Sequence, residues 1–118
     1  MAETEQLSIR LNNIEVEAIN NLIFALQERY GRDIVKVILF GSKARGDSTK
    51  DSDIDLLIIT SYENWALREE VWRIAAKLEL HQDVIFNIQL MSLQHWDTIC
   101  DQGFSLCQHV EQDGVVIF

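Results

Sequence analysis

Apolar residues at Val16, Ile19, Leu22, Ile23, Leu26 and Tyr30 recur at helical intervals. That spacing predicts a one-sided helix from about Ile14, capped by Asn12 or Asn13 and ended by Gly31. The run Ile34–Phe40 is β-branched and too short for a helix, so it predicts a strand that stops at Gly41-Ser42. A polar loop to Ser52 follows, and residues 53–60 (DIDLLIIT) predict a second strand with two carboxylates at its start. Trp65, Leu67, Val71, Trp72, Ala75 and Leu78 form a second helical stripe, and residues 84–91 a third strand. Ser92 suits the N-cap of a short helix through about Cys100. Gly103 breaks that helix, another runs from Phe104 to about Gln112, and Val115–Phe118 forms a last strand. The order α-β-β-α-β-α-α-β predicts an α/β (α+β) fold: a small mixed sheet with helices mainly on one face. No repeat or linker divides the chain, which reads as a single domain over residues 1–118, with a loosely tied lead-in over the first ten.

Charge narrows the range of partners. Nineteen acidic against ten basic residues give a formal net charge of −9. This average field repels nucleic acid and favours a basic protein or divalent cations. The apolar runs are too short to span a bilayer, and the acidic start lacks the pattern of a signal peptide. Cys100 and Cys107 are too few for a disulfide framework. They read as small apolar side chains near the core of a protein in a reducing cytoplasm.

The segment from Phe40 to Asp55 carries the chemistry. At Gly41 a missing side chain lets a ligand approach the backbone closely. Ser42 adds a hydroxyl, and Lys43, Ala44 and Arg45 can start a helical turn whose N–H groups face the same point, an arrangement suited to phosphate. Asp53 and Asp55, two apart in a strand, project from one face and repel each other unless a cation sits between them. Mg²⁺ is the matching hard cation, held by one or two carboxylates plus substrate phosphates. A phosphate cradle beside a carboxylate pair describes metal-assisted phosphoryl or nucleotidyl transfer. Other motifs fail on the letters. The glycine spacing of a Walker A loop is missing, and so is a dinucleotide fingerprint. An EF-hand starting at Asp51 would need Gly where Leu56 stands and Glu where Tyr62 stands.

Gly41-Ser42, ten intervening residues and Asp53-x-Asp55, with Ala44-Arg45-Gly46 between, resemble the signature of the DNA polymerase β-like nucleotidyltransferase superfamily. The short length, the 65–80 helix, the 84–92 strand with Trp96 and the Val110–Phe118 ending look like its minimal nucleotidyltransferases. These are small prokaryotic proteins, often encoded beside a HEPN-domain partner. The resemblance implies a nucleotidyltransferase fold, with Gly41 and Ser42 holding the triphosphate of ATP and Asp53 and Asp55 binding Mg²⁺. It also implies an antitoxin that neutralises a HEPN RNase toxin by transferring AMP to a toxin tyrosine. Active members place a third acid on the neighbouring strand, and here Asp83 is the candidate metal ligand and base. Strand parity groups Asp83 with Ile85, Asn87 and Gln89 on the face opposite Val84, Phe86, Ile88 and Leu90. Without a third acid, the alternative is an antitoxin that neutralises its toxin by forming a complex, with no catalysis. Transfer to a small molecule such as an aminoglycoside would call for an extra helical domain.

Arg45 and Lys43 are candidate triphosphate contacts or surface ion-pair partners. Asp47 and Asp51 read as loop solvation. His81, His95 and His109 are dispersed, without zinc spacing. Trp65, Trp72 and Trp96 read as core packing, and Arg68, Glu69, Arg73 and Lys77 as a solvated helix face.

Overall fold

A computed structural model describes residues 11–46 and 53–118. The elements run α1 (Asn13–Tyr30), a 3₁₀ turn (Gly31–Asp33), β1 (Ile34–Phe40), α2 (Gly41–Arg45), β2 (Ile54–Thr60), α3 (Trp65–His81), β3 (Phe86–Ser92), α4 (Leu93–Asp101), α5 (Ser105–Asp113) and β4 (Val115–Val116). The lead-in, Asp47 and Asp51 fall outside the described residues.

Local signals account for most boundaries. Asn12 Oδ1 accepts from Glu15 N–H at 2.8 Å, and Glu15 Oε1 accepts from Asn12 N–H at 3.0 Å, closing a capping box on α1. Asn64 and Ser92 cap α3 and α4 through the N–H groups of Leu67 and His95.

The strands form one mixed sheet in the order β3-β2-β1-β4, among the described residues. β1 pairs antiparallel with β2 and β4, whereas β2 and β3 run parallel across the α3 crossover. Beyond β4, Ile117 N–H donates to Val37 O at 2.8 Å, so the C-terminal residues continue along β1.

Alternation along the strands divides the core. Val37 and Leu39 of β1 with Leu56 and Ile58 of β2 pack under Ile19, Leu22 and Leu26 of α1 and under Leu67 and Val71 of α3. Each such fully buried aliphatic side chain stabilises by about 1.5–3 kcal/mol. On the opposite face Ile38, Leu57, Ile59 and Met91 meet Trp96 and Ile99 of α4 and Leu106 and Val110 of α5. Helices therefore lie mainly on one face, where the two long ones pack, and two short helices cover part of the other.

Three expectations need correction. Trp65 and Trp72 are 69% and 45% exposed and meet edge to face on the surface of α3, with ring centroids 6.4 Å apart. The stripe that reaches the core of α3 runs through Leu67, Val71 and Ala75. Cys100 and Cys107 are disulfide-bonded, with Cα atoms 5.4 Å apart, tying the end of α4 to α5. The third strand is Phe86–Ser92, because its pairing with β2 begins at Ile54 opposite Phe86 and leaves Val84 and Ile85 in the connection.

Candidate active site

β1 runs antiparallel to β2 and β3, so its C-terminal end lies beside the starts of both. Phe40, the last residue of β1, pairs with Asp55, and the chain turns at once into α2. Asp55 continues the row of Leu57 and Ile59, on the face that α4 and α5 cover only in part. Asp53, one residue before β2, is exposed, and Asp55 is half-buried.

Gly41 makes the turn possible. Its φ of +76° lies in the left-handed region, and a Cβ there would strike Asp55 Oδ2 and lie 3.1 Å from Cγ. Gly41 and the Asp55 carboxylate are therefore packed directly against each other.

Two ties hold α2. Lys43 is buried, its side chain 2% exposed, with Nζ 2.5 Å from Glu15 Oε2. It anchors α2 to α1 and is not a surface contact for phosphate. Glu15 is thus a site-supporting residue that the sequence pattern does not single out. Arg45 leans toward Asp113 at the end of α5, 3.7 Å away, and stays nearly half exposed.

The third position is polar and uncharged. Asn87, opposite Asp55 in the β2–β3 register, donates from Nδ2 to Asp55 Oδ1 at 2.8 Å. Asp83 lies outside β3, in the connection after α3, and the place beside Asp55 where a third carboxylate was expected belongs to Asn87. The face assignment itself holds: Phe86, Ile88 and Leu90 turn to the core while Asn87 and Gln89 are exposed.

The donor set suits a hard cation that arrives with phosphate. Asp53 just before β2 and Asp55 within it are two residues apart, and no group of three His, Cys, Asp or Glu among the described residues could enclose a metal. A Mg²⁺ ion here would complete its shell from substrate oxygens and water.

Residues 19–112 match the family model of the nucleotidyltransferase domain. The chain belongs to the nucleotidyltransferase domain family. It is 34% identical over 104 residues to "Putative protein adenylyltransferase MJ0604" of Methanocaldococcus jannaschii, a match covering 88% of this chain and 98% of that protein. A tyrosine-to-alanine mutant of the toxin–antitoxin MntA–HpeT superposes with a TM-score of 0.51 at 25% identity, over 84% of this chain and 71% of that one. A crystal structure of a toxin–antitoxin with AMP-PNP gives 0.53 at 25%, over 83% and 71%. Within this nucleotidyltransferase, no helix among the described residues is long and apolar enough to cross a membrane.

Proposed function

We propose that this nucleotidyltransferase transfers AMP from ATP to a hydroxyl of a partner protein, acting in the cytoplasm as the antitoxin of a HEPN-type RNase toxin with a tyrosine as acceptor. The observation that carries this reading is the contact of Gly41 with Asp55, which joins a phosphate cradle to a carboxylate pair. The adenylyltransferase name of the M. jannaschii relative and the toxin–antitoxin structures, one with AMP-PNP, support the substrate and the partner.

In this reading Gly41, Ser42 and the first turn of α2 grip the β and γ phosphates, with Arg45 as a further contact. Asp53 and Asp55 would hold Mg²⁺, which when bound neutralises phosphate charge and makes the acceptor hydroxyl more acidic. The acceptor oxygen bonds to the α phosphorus, the bond to the β-phosphate oxygen breaks, pyrophosphate leaves and the hydroxyl proton passes to solvent.

Asn87 favours a second reading, in which the antitoxin acts by occlusion, since it removes a carboxylate from the third position. Intact-mass spectrometry of the toxin after incubation with this protein, ATP and Mg²⁺ separates the two. We expect a gain of one AMP or a multiple, lost when Asp53→Asn and Asp55→Asn are combined. Neutralisation without any mass gain, surviving that double substitution, would overturn transfer in favour of occlusion.

A further inference from the structure

Asp55 is confined on two sides. Asn87 donates to Oδ1 at 2.8 Å, and the bare Cα of Gly41 closes on Oδ2. A carboxylate in place of Asn87 would repel Asp55 unless a cation lay between them, whereas an amide holds it with no cation present. An amide also leaves the site one negative charge short. At such range one charge counts heavily in attracting a divalent ion, even after solvent screening. The remaining donors, Asp53 and Asp55, stand without a third carboxylate, thiolate or imidazole to complete a metal shell among the described residues.

We infer that Asn87 is a positioning residue: it sets Asp55 before any cation arrives, and by withholding a third negative charge it makes the divalent ion bind as its nucleotide complex and not alone. The inference rests on the nucleotidyl-transfer reading of Asp53 and Asp55. Asn87 is exposed, so its replacement leaves the core intact.

Titration calorimetry with Mn²⁺ alone, and with Mn²⁺ plus AMP-PNP, tests this on the wild-type chain and on the Asn87→Asp and Asn87→Ala variants. The wild type should take Mn²⁺ at least about tenfold more tightly with the analogue than without it. Asn87→Asp should bind Mn²⁺ alone at least about tenfold more tightly than the wild type, melt lower without metal and recover when Mn²⁺ is added. Asn87→Ala should keep the weak binding of Mn²⁺ alone yet bind the Mn²⁺–AMP-PNP complex several-fold more weakly. Equal Mn²⁺ binding by Asn87→Asp and the wild type would overturn the charge argument. An Asn87→Ala variant matching the wild type in both titrations would overturn the positioning role. No acceptor is needed for these readings. The predicted binding pattern without AMP transfer would therefore defeat the transfer reading alone, and normal transfer without the pattern would defeat this one.

Discussion

Lys43 Nζ lies 2.5 Å from Glu15 Oε2, with both side chains shut away from water, so the site's short helix is fastened to the first turn of α1. The other Glu15 oxygen closes the capping box with Asn12, and one carboxylate therefore serves two structures. Lys43→Met strands a buried charge and should destabilise the fold by about 3–5 kcal/mol. Combining it with Glu15→Gln keeps the cap acceptor, removes the stranded charge and should recover most of that loss. Urea unfolding of the three proteins checks this; a double variant no better than the single would contradict it.

Gly41→Ala should cost about 1–3 kcal/mol in stability through its positive φ. The added methyl also displaces the Asp55 carboxylate, so AMP transfer should fall at least about 100-fold. Initial rates from mass spectrometry, with circular dichroism to confirm folding, test the pair of effects.

The local readings succeeded where the deciding residues are neighbours in sequence. Asn12 and Gly31 bound α1, and the run Ile34–Phe40 with Gly41 after it announces a strand and the turn at its end without help from the rest of the chain. The readings that failed depend on distant partners. Lys43 sits among polar residues, and nothing nearby reveals that Glu15 waits for it across the core. Periodicity places Trp65 and Trp72 on the α3 stripe, but α1 and the sheet cover only the side holding Leu67 and Val71. The start of β3 is set by pairing with Ile54, which the apolar pair Val84-Ile85 conceals. Parity found the face of Asn87; its hydrogen bond to Asp55 needed the register.

Glu63 links the β2–α3 connection to the start of α4. Its Oε1 accepts from Ser92 N–H and lies 2.8 Å from His95 Nδ1. Burial alone would raise its pKa, but the Ser92 N–H, the His95 ring and Arg68 outweigh burial and hold it below the ordinary glutamate range. A carboxyl depressed in the folded state stabilises fully above its unfolded value and loses that contribution as pH falls through its folded value. The stability gap between the wild type and Glu63→Gln should therefore be present above about pH 4.3 and shrink below it. Urea midpoints across that range measure it, and a gap that persists at low pH would count against the mechanism.

The disulfide between Cys100 and Cys107, seven residues apart, closes a short loop around Gly103. For a loop of this size, chain entropy assigns it about 2–3 kcal/mol. Reductant, or Cys100→Ser with Cys107→Ser, should lower the urea midpoint accordingly. Mn²⁺–AMP-PNP binding should change little, because Asp55 is held by Gly41 and Asn87 on the strands, and the helices that the disulfide joins reach the site only at its margin, through Asp113 beside Arg45. Titration calorimetry of the reduced protein checks the second half.

The mixed strand directions give the parts of the site different histories. Gly41, Ser42, Asp53 and Asp55 all lie where the antiparallel strands β1 and β2 meet, so one pairing of consecutive strands brings them together, at a smaller entropy cost than a more distant closure. Asn87 lies 32 residues from Asp55 and reaches it only by a parallel pairing that must first carry α3 across the sheet. Non-local parallel pairing is the slower kind of event. The β1–β2 pairing can thus gather the cradle and both carboxylates early, and Asp55 acquires its fixed orientation last, when the α3 crossover docks.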